Sequence, residues 1–292
     1  MLFRSVTGVL TVISGWLLTA FIAFTVTAIV AILLMVGNMF AIVGFVALCI
    51  FILFKSAAHH RKITKNRQKK DTVDVSEQTI VEKCSTDVLN AFEEITRIYS
   101  ETLTGLFNED RKKLKTLSHE AHEVYQREKE RKMYEILPTL QWLQQDAIDT
   151  GHYYVQVIDY LYEVSKSLVQ ITRSSFEYID NNHMGLSEYQ MADLKKINEE
   201  VSAIYNGIVQ MLKSNDFSEF EYLLATRDNS FEYFADAIKH QIKRVKEHES
   251  GTRNSILYLG IVNETKTMFL QSRNLMKAQK YFVTGQSTSE EI

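Results

Sequence analysis

The chain reads as an all-α protein, a membrane helical hairpin followed by an elongated bundle of six helices in two three-helix repeats. Three observations carry that reading. The 292 residues contain a single proline, Pro138, whereas a β-rich domain of this size needs many turn formers. From Ser76 onward, apolar residues recur at three- and four-residue steps, the period of a helix with one buried face. Residues 6–54 are apolar and carry no Asp, Glu, Lys or Arg, a stretch too long for one membrane span and suited to two.

Whole-chain averages hide this division. The net charge of −3 and the mean hydropathy of −0.14 describe neither part. The first span is expected at residues 10–36 and the second at 40–54, with Gly37-Asn38 as the turn. Thr11, Ser14, Gly15, Thr19, Thr25 and Thr27 mark the first span. Such a face either packs closely on other membrane helices or lines a path, or it bonds its hydroxyls back to its own carbonyls. Neither span holds an ionisable residue, so no ion site is expected in them. The stretch is too long for a cleavable leader and lacks a cleavage site followed by a polar start.

A basic run closes the block: Lys55, Arg61, Lys62, Lys65, Arg67, Lys69 and Lys70, with no acid among them. Lys and Arg beside a span resist translocation, so the run and everything after it are expected on the cytoplasmic side of the cell inner membrane. Beside a span, its ordinary partner is the lipid headgroup layer rather than nucleic acid. His59-His60 belongs to the same surface. The expected divisions are a hairpin at 1–55, a juxtamembrane linker at 56–72, a helical domain at 73–284 and a disordered polar tail at 285–292.

Six helices are expected in the helical domain, at 76–107, 110–135, 138–180, 187–213, 218–248 and 253–282. Pro138 sets the start of the third. Asn181, Asn182 and Gly185 break the chain before Ser187-Glu188-Tyr189-Gln190, a capping box in which serine and glutamine side chains satisfy two orphan backbone N–H groups. Ser218-Glu219-Phe220-Glu221 offers the same device after Asn215-Asp216, and Gly251 separates the last two helices. Cys49 and Cys84 fall in different parts and have no partner at ligand spacing, so both read as plain thiols.

An internal repeat organises the six. Tyr154, Val155, Val157, Ile158 and Asp159 precede Tyr258, Leu259, Ile261, Val262 and Asn263 by 104 residues. Both stretches open the last helix of a triplet, as duplicated three-helix units would.

The stretch from Thr150-Gly151-His152-Tyr153-Tyr154 to Asp159-Tyr160-Leu161, together with Asn254-Ser255-Ile256-Leu257-Tyr258-Leu259, resembles the third helices of the two repeats in PhoU-like domains. Thr7-Gly8-Val9-Leu10-Thr11-Val12-Ile13-Ser14-Gly15-Trp16-Leu17-Leu18-Thr19 resembles the last conserved stretch of inorganic phosphate transporters of the PiT family. The order of parts is that of Bacteroidetes-type phosphate permeases with a PhoU-like domain after their final spans. The family's Gly-Ala-Asn-Asp signature and most of its spans are absent, and Ala20-Phe21 stands where a proline often follows the tryptophan stretch. What the resemblance implies is sodium- or proton-coupled phosphate transport by a longer protein, of which this chain is the tail. Leu2-Phe3-Arg4-Ser5, which matches a translated sequencing adapter, fits that expectation. The implied partners are the lipid bilayer, the remaining transporter helices, inorganic phosphate and a coupling cation, with a homo-oligomer left open. The rival reading is a membrane-tethered helical signalling or scaffold protein without transport activity.

PhoU proteins are associated with metals held by acidic pairs four residues apart, and the nearest match is Asp159 with Glu163, upstream of which lie Asp149 and His152. Carboxylates at i and i+4 can face one cation, so a metal ion on the helical domain is one reading. The favoured one is helix-surface acids paired with lysines or hydrated, because the aligned pair in the second repeat is Asn263 and Thr267. Lys239, Lys243, Arg244 and Lys246 are expected in the last turns of a helix, where its dipole favours cations without any ligand. Tyr153, Tyr154, Tyr160 and Tyr162 read as bundle packing. No nucleophile–base arrangement, phosphate loop or zinc spacing is visible, so neither an enzyme nor a resident cofactor is expected.

Overall fold

The computed structural model describes residues 17–28, 31–32, 35, 77–143, 147–247 and 251–285, the side chains at 77, 221 and 223–230 excepted. The chain divides into two units, residues 1–74 and 75–292. In the first, residues 17–28 are helical, with Leu17, Phe21, Ile22 and Phe24 exposed. Thr25 Oγ1 donates to the Phe21 carbonyl at 2.7 Å, so this hydroxyl follows the back-bonding reading. Among the described residues no helix is long and apolar enough to cross a membrane. Most of the expected hairpin and the basic run of Lys55, Arg61, Lys62, Lys65 and Arg67 lie outside the described residues.

The second unit contains seven helices among its described residues: α1 Glu77–Phe107, α2 Arg111–Tyr134, α3 Ile136–Trp142, α4 Ile148–Asp180, α5 Glu188–Ser214, α6 Phe220–Lys246 and α7 Thr252–Thr284. No strand occurs among them. The Ser187 capping box forms as expected, Gln190 N–H donating to Ser187 Oγ at 3.3 Å and Ser187 N–H to Gln190 Oε1 at 3.0 Å. Asn182 and Asn215 take the left-handed conformation, each with φ of 52°, which asparagine tolerates better than most residues.

Two expectations are corrected. The helix expected over 138–180 is two helices, because the backbone becomes extended at Leu143, with φ −66° and ψ 141°. Pro138 sits in the first turn of α3, where its missing N–H costs nothing; it cannot donate to Tyr134, and the chain breaks there from α2. Ser218 is the second correction. The N-cap is Glu219 instead, without a side-chain cap bond: Asp216 Oδ1 accepts from Ser218 N–H at 2.9 Å, and Phe220 N–H bonds Phe217 O at 3.1 Å. Phe217 and Phe220 are both buried, and turning both inward delays the helix to Phe220.

Helices α1, α2 and α4 form one repeat, and α5, α6 and α7 the other. The broadest packing in the bundle is α4 along α7. The two run antiparallel: Tyr153 stacks near Tyr281 at 5.3 Å at one end, and Arg253 Nη1 meets His183 Nδ1 at 3.0 Å at the other. Burial follows the repeat. Tyr154, Val157, Ile158 and Val164 are buried, and so are Tyr258, Ile261, Val262 and Met268, each 104 residues later. Along α1 and α5 the shift is 106 residues, matching Val88 with Leu194, Ala91 with Ile197 and Tyr99 with Tyr205. Both tyrosines reach α7, Tyr99 through Thr265 Oγ1 at 3.2 Å and Tyr205 through Ser272 Oγ at 2.8 Å. The repeats differ at one link: 135–147 joins α2 to α4 and holds α3, whereas α6 and α7 are separated only by 247–251.

Candidate functional site

The apolar stripe of α2 runs through Leu114, Leu117, Ala121 and Val124, then continues at the same spacing with Glu128 and Arg131, both buried. A buried charge persists only when paired and hydrogen-bonded, and these are. Arg131 Nη1 donates to Glu128 Oε2 at 3.0 Å, and Arg131 Nη2 lies 3.1 Å from Asp87 Oδ2 on α1. Arg127 Nε donates to Glu128 Oε1 at 3.2 Å and its Nη2 to Glu94 Oε2 at 3.1 Å. Above the cluster, the Tyr154 hydroxyl on α4 shares a 3.3 Å hydrogen bond with Thr139 of α3. Cys84 is buried beside it, and burial pushes its thiol up to about 12, Arg131 opposing. It therefore stays protonated and is no nucleophile.

The second repeat builds the same clasp. Arg244 Nη2 donates to Asp193 Oδ2 at 2.8 Å, Tyr258 Oη donates to the same oxygen at 3.0 Å, and Arg244 Nε donates to Gln241 Oε1 at 3.1 Å. Gln241 Nε2 continues to Ser255 Oγ at 2.9 Å. In both repeats the first helix supplies an aspartate, the second an arginine three residues after Glu128 or Gln241, and the third the tyrosine of the repeat motif. The second clasp bonds three helices together through Tyr258, whereas in the first the ion pairs join α1 to α2 and the Tyr154 hydroxyl turns to Thr139 of α3.

Burial holds the Glu128 carboxyl above its ordinary range, with Arg131 and Arg127 pulling it back only in part. The folded protein thus binds this proton more readily than the unfolded chain. For this group, stability is greatest below the unfolded value of about 4.3 and falls as pH rises toward the folded value, then levels off. Gln241 shows that a neutral amide serves in the same place. Glu128→Gln is therefore expected to leave stability at neutral pH unchanged or slightly higher and to remove that acid-side gain. Urea midpoints measured across the acid range check this, and a loss above about 1 kcal/mol at neutral pH would count against it.

The expected pair, Asp159 and Glu163, lies on α4. Asp159 pairs with Lys132, whose Nζ also lies 4.4 Å from the Tyr162 ring centre, and Glu163 Oε2 accepts from Lys166 Nζ at 3.1 Å. His152 bonds Gln156 at 3.1 Å. The structure does not gather Asp149, His152, Asp159 and Glu163 around one point, and no group of three His, Cys, Asp or Glu side chains converges among the described residues. Asp159 and Glu163 remain one helical turn apart, each closed by a lysine. Lys243, Arg244 and Lys246 do lie in the last turn of α6, and from there the Arg244 guanidinium turns inward to Asp193. Tyr153 and Tyr154 are buried, as packing residues should be. The clasps were missed, although one signal was present: Glu128 and Arg131 continue an apolar three–four spacing that charged residues ordinarily avoid.

No family model matches the chain, and no curated protein sequence matches it. Solved structures do. The phosphate transport system regulatory protein PhoU from Streptococcus pneumoniae superposes with a TM-score of 0.59 at 14% identity, over 72% of this chain and 98% of that one. PhoU from Pseudomonas aeruginosa gives 0.60 at 11% identity, over 72% and 100%. The bundle has the PhoU fold. The PhoU-like bundle thus accounts for the helical domain by its architecture, and at these identities the likeness extends to the fold alone. Within that fold the duplicated clasp is built from residues of this chain that spacing and burial single out independently.

Proposed function

We propose that this chain belongs to an inorganic phosphate transporter of the PiT type, contributing a last membrane hairpin and a cytoplasmic regulatory domain. The observation that carries the reading is the order of parts in one chain. An uncharged apolar block ends in a basic run, and a bundle with the PhoU fold follows. The tryptophan stretch at residues 7–19 supports the transporter assignment by resemblance. In this reading the parent protein moves phosphate with sodium or protons through spans and signature residues outside this chain. The bundle senses phosphate status or a partner and biases transport through the linker at 56–72. The clasps fit that role because a signal carried by a bundle needs helices that move as units. The reading assigns no enzymatic activity to the bundle.

The test is phosphate uptake by the parent reading frame in vesicles, with and without residues 73–292. Uptake that loses its response to internal phosphate on deletion supports the proposal. Uptake and regulation both unchanged by deletion remove the regulatory role, and absence of any uptake by the intact frame favours the membrane-tethered scaffold.

A further inference from the structure

We propose that the outward face of α3, with the last residues of α2 and the first of α4 beside it, forms a membrane-resting surface, seated in the headgroup–acyl boundary of the bilayer. The proposal rests on the reading of residues 6–54 as membrane-embedded. It begins from α3 as the one helix that lacks a counterpart in the other repeat. Its inner side is accounted for: Leu140 and Leu143 close on Gly151 so tightly that a Cβ there would lie 2.9 Å from Leu140 Cδ2. Its outer side is not. Leu137 is 70% exposed and Trp142 47%, and beside them Met133, Tyr134 and Ile148 are exposed as well, Ile148 at 77%. Five large apolar side chains within this short stretch, two of them aromatic, are not a scatter of single surface residues.

The position of the patch selects the occupant. It lies at the end of the bundle where α1 begins. Cys84 and Asp87 of α1 border Arg131 and Glu135 at the end of α2, Tyr154 bonds Thr139 of α3, and Ser85 accepts from Gln279 at the end of α7 at 2.8 Å. The chain enters α1 from the basic run and the apolar block. The roughly 20 residues between Lys55 and Glu77 can reach no farther than about 70 Å even when fully extended. A bilayer holding the apolar block is thus always within reach of this end, at the high effective concentration a short tether imposes. The chemistry agrees: tryptophan and tyrosine favour the interface, where an apolar body and a polar edge are both satisfied, and aliphatic neighbours add shallow burial. Lysines and arginines of the run at 55–70 supply attraction to anionic headgroups, so the patch itself needs none.

The experiment uses the whole chain reconstituted in vesicles containing brominated phosphatidylcholine and anionic lipid. The sequence has two tryptophans, Trp16 and Trp142, so Trp16→Phe leaves Trp142 as the sole reporter. The expected result is strong quenching of Trp142 by the brominated lipid with a blue-shifted emission. Adding Leu137→Ser and Ile148→Ser should abolish most of that quenching, while Ile256→Ser, an exposed apolar site at the other end of α7, should leave it intact. Trp142 that is unquenched by lipid but open to iodide overturns the proposal. Trp142 that is closed to both overturns it in favour of a second copy of the chain, and quenching that survives the double serine change overturns it too. The reciprocal variant, Trp142→Phe, separates the two readings. If Trp16 is quenched and Trp142 is not, only the resting surface fails; if neither is quenched, the membrane reading fails with it.

Discussion

Replacing Arg131 with alanine is expected to lower the unfolding free energy by about 3–5 kcal/mol, the cost of leaving a buried charge without its partner. Glu128 is 0% exposed, and its carboxylate has only Arg127 left once Arg131 is gone. Asp87, which Arg131 also binds, is partly open to water and can rehydrate. The loss therefore comes mainly from Glu128, and removing that charge as well should restore most of the stability. Combining Glu128→Gln with Arg131→Met tests this, since a neutral amide beside a methionine of similar length leaves no fully buried charge unpaired. Urea unfolding followed by tyrosine absorbance gives both values. A single variant within about 1 kcal/mol of the parent would mean that the clasp does not hold α1 to α2.

Phe269→Ala is expected to cost a similar amount, about 3–5 kcal/mol, by a different mechanism. The ring of Phe269 stacks on Tyr205 at 5.7 Å and meets Phe234 edge-on at 5.6 Å and Phe231 at 6.2 Å. It joins α5, α6 and α7, and its removal leaves a cavity bounded by three rings that cannot all collapse inward. The equivalent position of the first repeat is Ser165, whose hydroxyl bonds the Tyr162 carbonyl at 2.7 Å. Ser165→Ala should therefore cost about 1 kcal/mol or less. A shift of the urea midpoint at unchanged slope shows the loss as one of stability alone. Equal effects at Ser165 and Phe269 would contradict the aromatic packing described.

Helix positions were legible because the pattern behind them is local. The 3.6-residue period, the Ser187–Gln190 box and the asparagines at the turns each state their own conformation. The repeat was legible because apolar residues return at a fixed shift. The break at Leu143 was not, since leucine is a good helix former and only the folded chain brings Leu140 and Leu143 against Gly151 of the next helix. Ser218 misled for a related reason: its capping pattern was complete, but the burial of Phe217 and Phe220 outweighed it. Arg244 was legible as one of the bases at a helix end, but a sequence does not say which of the four turns inward to an aspartate about fifty residues earlier. The pair Asp159 and Glu163 was located correctly on one face of a helix, while the lysines that close it come partly from a neighbouring helix.

The antiparallel pairing of α4 with α7 has a consequence for how the molecule keeps its fold. Each repeat offers the other the kind of face that two separate copies would offer in a symmetric dimer. Here the partner arrives on the same polypeptide, so assembly does not weaken on dilution. The two halves are also released from identity. The first can keep Glu128 where the second has Gln241, the second an aromatic cluster where the first has Ser165, and the first an added helix at its link, without any copy having to fit a replica of itself.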